Sequence, residues 1–68
     1  MRAKAAYRVL VGRDTVEIVS IADGETVQLW DLAPSRVRRF ARAVREDVNT
    51  MEAEAFIERW TARAAESE

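Results

Sequence analysis

Apolar and polar residues alternate along the first half of the chain. Three runs follow this period-two pattern, at about residues 5–12, 15–22 and 25–32. Successive side chains of a strand point to opposite faces of a sheet, so this alternation predicts three β-strands. The two glycines of the chain lie at the end of the first run and between the second and third runs, at Gly12 and Gly24. They predict tight turns, and therefore an antiparallel meander.

The two turns predict how the strands pair. Asp23-Gly24 is typical of a two-residue type I′ turn, in which both central residues have positive φ. This turn would pair Ile21 with Thr26, Val19 with Gln28, Ile18 with Leu29, and Glu17 with Trp30. A tight turn within "GRDT" would pair Val11 with Val16, Val9 with Ile18, and Arg8 with Val19.

Cross-strand partners share a face, so these pairs predict which side chains meet the core. One face would be almost entirely apolar, and it would collect Tyr7, Val9, Val11, Val16, Ile18, Ser20, Val27 and Leu29. The opposite face would be mixed, and it would collect Arg8, Leu10, Glu17, Val19, Ile21, Thr26, Gln28 and Trp30. We expect the first face to be covered.

The second half of the chain has the period of amphipathic helices. Pro34 suits the first position of a helix over about 34–48, since its missing N–H costs nothing there. Asn49 would cap a second helix over about 50–65, with Glu52 completing a capping box. The first apolar stripe is Val37, Phe40, Ala41, Val44 and Val48, and the second is Ala53, Phe56, Ile57, Trp60 and Ala64.

These elements predict an α+β fold, in which a three-stranded antiparallel β-meander is followed by a helical hairpin packed on one sheet face (βββαα). Residues 1–68 would form a single small domain. In an alternative arrangement, only the first helix covers the sheet and the second packs on another subunit. Oligomerisation would supply buried surface that so short a chain lacks.

Composition narrows the possible chemistry. The chain has no cysteine and no histidine, and it has neither a P-loop nor a dinucleotide-binding glycine motif. We therefore expect no catalytic residue, no cofactor and no metal ligand, and we expect that the protein is not an enzyme. We also expect a cytoplasmic protein that does not bind membranes. Its ten arginines against one lysine suggest a bacterial or phage source.

Arginines are concentrated in the first helix. The segment from Arg36 to Arg45 contains no acid, and its arginines are Arg36, Arg38, Arg39, Arg42 and Arg45. They would form a basic surface able to contact phosphates of nucleic acid. Alternatively they form a solvated face with local ion pairs, for example Arg42 with Glu46. The net charge of −1 and the acids at the helix end favour ion pairs.

The mixed sheet face is the other candidate site. Four of its apolar residues, Leu10, Val19, Ile21 and Trp30, exceed what a solvated face needs. They would form an interface, unless the N-terminal segment or the second helix covers them.

Our first hypothesis is a non-enzymatic protein–protein interaction module, a homodimer that acts on an unidentified protein partner as a small regulator, adaptor or inhibitor. The alternative is a nucleic-acid-binding domain that uses the arginine-rich helix. A third hypothesis is a phage-encoded inhibitor of a host nucleoprotein complex.

Overall fold

The computed structural model describes the backbone of residues 1–66 and the side chains of residues 1–62. Three antiparallel strands form one open sheet in the order β1-β2-β3, and helices pack on it, so the predicted βββαα architecture is confirmed. The elements in chain order are α1 (Ala3–Ala6), β1 (Tyr7–Val11), β2 (Thr15–Ser20), β3 (Thr26–Asp31), α2 (Pro34–Thr50) and α3 (Ala53–Glu66).

The hairpin of β1 and β2 has the predicted register. Val11 pairs with Val16, Val9 with Ile18, and Arg8 with Val19. The backbone N–H of Gly12 donates to the Thr15 carbonyl at 2.8 Å and closes the turn. A Cβ on Gly12 would lie 2.5 Å from Oγ1 of Thr15, so a glycine permits this close approach.

The predicted register between β2 and β3 is wrong by one residue. Val16 pairs with Trp30, Glu17 with Leu29, and Ile18 with Gln28. Beyond Ile18 the register shifts again, since Val19 pairs with Thr26, and this shift leaves Val27 as an extra residue on β3.

The connection between β2 and β3 explains this difference. It is a longer loop over residues 21–25, closed by the N–H of Ser20 donating to the Glu25 carbonyl at 2.9 Å. Gly24 has a φ of 73°, but within residues 1–66 no residue other than glycine has a positive φ. Asp23 therefore cannot occupy a type I′ turn, and it instead accepts the Glu25 N–H on Oδ1 at 3.1 Å.

A shift of one residue exchanges the two faces of β3. Trp30 points into the core and is 8% exposed, whereas Leu29, which was predicted to be buried, is 48% exposed. The predictions that Trp30 lies on the open face and Leu29 in the core are both wrong.

The N-terminal segment also differs from the prediction. The first strand begins at Tyr7 rather than near residue 5, because residues 3–6 form one turn of helix. The N–H of Ala3 donates to the Met51 carbonyl at 3.0 Å, and the N–H of Ala53 donates to the Met1 carbonyl at 2.8 Å. The segment is thus joined to the junction between α2 and α3, and Ala3 is fully buried there.

The predicted capping box is not formed. Asn49 lies within α2, which continues to Thr50, so it cannot cap α3. The Glu52 carboxylate instead lies 3.3 Å from the N-terminal ammonium. The start of α2 at Pro34 is as predicted, with Ala33 making no side-chain cap.

The core lies between one face of the sheet and the two long helices. The sheet contributes Val16, Ile18 and Trp30, and α2 contributes four residues of its predicted stripe, Val37, Ala41, Val44 and Val48. Phe56 and Trp60 of α3 are at most 1% exposed within the single chain. The second helix therefore covers its own sheet and does not project. The predicted stripe residue Ala64 lies outside the described side chains.

Candidate interaction surfaces

The face of the sheet that points away from the helices is the first candidate surface. Two cross-strand rows build it: Leu10, Glu17 and Leu29 form one, and Arg8, Val19 and Thr26 form the next. We call these six residues the outer sheet face. Diagonal neighbours on a sheet lie within reach of long side chains, so Val19 can contact both Leu10 and Leu29, and we call these three residues the apolar triangle.

Exposure and polar contacts define the character of this face. Leu10 is 43% exposed and Val19 is half-buried between its neighbours. The half-buried Glu17 lies between the two leucines, and its carboxylate accepts a hydrogen bond from the Thr26 hydroxyl. Arg8 is exposed at the β1 edge. The surface therefore combines a small apolar centre with one cation and one anion.

The predicted interface residues are only partly brought together. Leu10 and Val19 lie on the outer sheet face, and Ile21, also exposed, follows directly in the loop after β2. Trp30 lies on the other side of the sheet. Leu29 takes the position predicted for Trp30, and sequence reasoning missed it because the loop was interpreted as a two-residue turn.

Trp30 belongs to an aromatic cluster in the core. Its ring centroid lies 4.9 Å from that of Phe40 and 5.9 Å from that of Trp60, with edge-to-face angles. Trp60 donates its indole N–H to Oδ2 of Asp47 at 3.1 Å. Arg59 lies 3.5 Å from the same oxygen. The packing of this cluster explains why Trp30 faces inward.

An open cleft of about 690 Å³ lies beside this cluster. Phe40 and Leu32 give it apolar walls, and the polar and charged groups in its lining are Asp31, Ser35, Arg36 and Arg39. This flank of α2 thus places two of the predicted arginines next to aromatic side chains.

The opposite flank of α2 carries the other three arginines. Arg38, Arg42 and Arg45, together with Glu46, line a shallow depression of about 470 Å³. All five arginines of the helix are exposed, as its periodicity predicts. We call these five the arginine face.

Ion pairs with the described side chains do not neutralise the arginine face. The predicted pair of Arg42 with Glu46 is not formed within 4.0 Å, and none of the five arginines makes an ion pair within residues 1–62. Asp47 turns toward α3, where Trp60 and Arg59 hold its carboxylate. Its charge is therefore directed away from the arginine flank, and Glu46 is the acid that lines the depression.

Metal-binding clusters and membrane-spanning helices are both absent from the described residues. No group of three histidine, cysteine or carboxylate side chains is arranged there to hold a metal ion. Within residues 1–66, no helix combines the length and apolar character needed to cross a membrane.

Comparison of the chain with protein-family models, with curated proteins and with solved structures found no match in any of the three.

Proposed function

We propose that the chain is a non-enzymatic protein-interaction module that pairs with a second copy of itself through the outer sheet face. The observation that carries this proposal is the apolar triangle of Leu10, Val19 and Leu29 on the side of the sheet opposite the helices. As a dimer, it would act as a small regulator, adaptor or inhibitor of another protein.

The charges of the outer sheet face support a second copy as the occupant. A two-fold symmetric interface uses the same surface patch on both copies, so a cation of one copy can meet an anion of the other, and the same contact occurs twice. Arg8 and Glu17 lie in neighbouring rows of the same face. Face-to-face packing about a two-fold axis would bring Arg8 of each copy toward Glu17 of the other, across an apolar centre.

The dimensions of the sheet set the strength of this association. The three strands lie about 4.8 Å apart, and each has about six residues with a rise of about 3.3 Å per residue. The outer sheet face therefore has an area of roughly 300 Å². A standard interface buries about 800 Å² on each partner. The proposed dimer is therefore weak, with a dissociation constant in the micromolar range or above, and it forms in a concentration-dependent manner.

Sedimentation equilibrium over a wide concentration range tests this proposal with a matched pair of variants. Leu10→Lys places a charge in the apolar triangle, and Val11→Lys places the same charge on the next residue of β1, which points to the opposite face. The two wild-type side chains are similarly exposed, at 43% and 40%. We expect the wild type and Val11→Lys to self-associate and Leu10→Lys to stay monomeric.

Two results would contradict the proposal. A wild-type chain that is monomeric up to about 1 mM would rule out a second copy as the occupant, since this corresponds to a binding free energy weaker than about 4 kcal/mol. Equal dimerisation by Leu10→Lys and the wild type would place the interface elsewhere. Circular dichroism of both variants verifies that they are folded.

A further inference from the structure

The arginine face has a regular geometry that self-association through the sheet does not use. Arg38, Arg42 and Arg45 are spaced at i, i+4 and i+7, so they lie along one flank of α2. With a rise of 1.5 Å per residue, the three Cα atoms span about 10 Å of helix. This row therefore offers three guanidinium groups to one extended ligand.

The local charge is strongly positive although the whole chain is not. Within α2, five arginines against two acids leave an excess of three positive charges. One of these acids, Asp47, is held by Trp60 and Arg59 on the flank toward α3. The other acid, Glu46, lines the depression together with the row, so a ligand there meets three arginines and one carboxylate, which leaves an excess of positive charge.

We propose that the arginine face binds the phosphate backbone of nucleic acid, with Arg38, Arg42 and Arg45 as the central contacts. Arginine presents a planar set of donors that matches phosphate oxygens in pairs. Arg39 and Arg36, which line the cleft on the other flank, extend the surface around the helix. The contacts are to the backbone, so the binding is independent of base sequence.

The composition of the depression favours nucleic acid over an acidic protein. Charged residues alone line it, namely the three arginines and Glu46. Protein interfaces have a core depleted in charge and enriched in aromatic side chains, whereas interfaces with nucleic acid are more polar and much more positive. The row of arginines lacks the apolar anchor that a protein partner would need.

Fluorescence anisotropy with a labelled DNA duplex and a labelled single strand of equal length tests this proposal over a series of salt concentrations. The test variant is Arg38→Gln with Arg42→Gln. The control is Lys4→Gln with Arg13→Gln, which removes the same charge from exposed positions on α1 and in the β1–β2 turn. All four substitutions replace exposed side chains, and circular dichroism verifies folding.

We expect the test variant to bind the preferred nucleic acid at least about tenfold more weakly than the control, since hydrogen bonds between ionised groups are the stronger ones. Each phosphate contact contributes about 0.9 to the slope of log K against log salt for a duplex, so the slope should fall by about 2 in the test variant. The control should keep the wild-type slope.

Three results would overturn the proposal. Absence of binding to either DNA at about 50 mM salt would exclude a phosphate site. An equal loss of affinity in the test and control variants would show a response to net charge alone. In a competition experiment, polyglutamate and unlabelled DNA are compared at equal concentrations of negative charge. If polyglutamate displaces the labelled DNA as well as unlabelled DNA does, the face would be assigned to an acidic protein.

Discussion

Replacement of Trp30 and of its neighbour Leu29 gives a direct test of the register between β2 and β3. Trp30 is 8% exposed and packs on Phe40 and Trp60, whereas Leu29 is 48% exposed on the outer sheet face. In the register that the turn motif predicted, these two environments are exchanged. The free energy of unfolding should therefore fall more for the Trp30 substitution in the observed register, and more for the Leu29 substitution in the register that the turn motif predicted.

The burial of each side chain determines how much its substitution lowers the free energy of unfolding. A buried tryptophan removes roughly 200 Å² from water, which corresponds to about 5 kcal/mol at 25 cal/mol per Å². Trp30→Ala loses most of this stabilisation and leaves a cavity. We therefore expect it to lower the free energy of unfolding by about 3–5 kcal/mol, as other large-to-small substitutions in a core do. A domain of this size has about 3–5 kcal/mol of stability from its core, so this variant should be largely unfolded.

A milder variant keeps the comparison quantitative. Trp30→Phe retains an aromatic ring and removes part of the volume, and we expect it to lower the free energy of unfolding by about 1–2 kcal/mol. Leu29→Ala removes a side chain that is half in water and leaves no closed cavity. We expect this substitution to cost at most about 1 kcal/mol.

Urea denaturation followed by far-ultraviolet circular dichroism measures these costs without relying on tryptophan fluorescence. The measurement is made at a low protein concentration, so that self-association does not contribute. A larger cost for Leu29→Ala than for Trp30→Phe would refute the register and with it the composition of the outer sheet face.

Two further predictions concern the ends of the helices. Asp47→Ala removes the carboxylate that accepts the Trp60 indole N–H, and because hydrogen bonds to charged groups are the stronger ones, it should lower the free energy of unfolding by about 1–3 kcal/mol in the same denaturation assay. The control Arg59→Ala removes only a largely exposed ion-pair partner of Asp47 and should lower it by less than about 1 kcal/mol. Equal effects of the two substitutions would show that the indole hydrogen bond is unimportant. Asn49→Ala should leave the thermal midpoint unchanged or raise it slightly, because alanine has the higher helix propensity at an exposed interior position, whereas a loss of about 1 kcal/mol would indicate a capping role.

Local patterns were sufficient to predict much of the fold. The β1–β2 register follows from the close turn at Gly12, and the start of α2 follows from Pro34 and the apolar stripe after it. These features depend on residues near one another in sequence. The short helix α1 was missed, although its alanines and lysine favour helix and could have indicated it.

The register of β3 depends on a tertiary contact that periodicity does not contain. In "TVQLW", one register turns Val27 and Leu29 toward the helices, and the other turns Gln28 and Trp30 toward them. Both registers keep successive side chains on opposite faces of the sheet, so periodicity alone does not choose between them. The tryptophan has the larger apolar area and meets rings from both long helices, so the second register is favoured. These partners come from distant parts of the chain.

The candidate surfaces were predictable to different extents. Helical periodicity places the arginines of α2 outside, as the structure shows. It could not show that Asp47 is held by Trp60 and Arg59, because this depends on how α3 lies against α2. The mixed sheet face was predicted to hold Gln28 and Trp30, which the observed register turns toward the helices, and to lack Leu29, which lies on it. Ile21, predicted on the same face, lies in the loop after β2.

The attachment of the first residues to the helix junction has a consequence for cooperativity. A chain terminus ordinarily frays, and its amides exchange with solvent without wider unfolding. Here the backbone of Met1 and Ala3 is hydrogen-bonded to Met51 and Ala53, and β1 begins four residues later. Separating the two long helices would expose the buried Ala3 and remove the support of the first strand. We therefore expect the sheet and the helical hairpin to open together, with the amides of residues 1–6 exchanging no faster than those of β1.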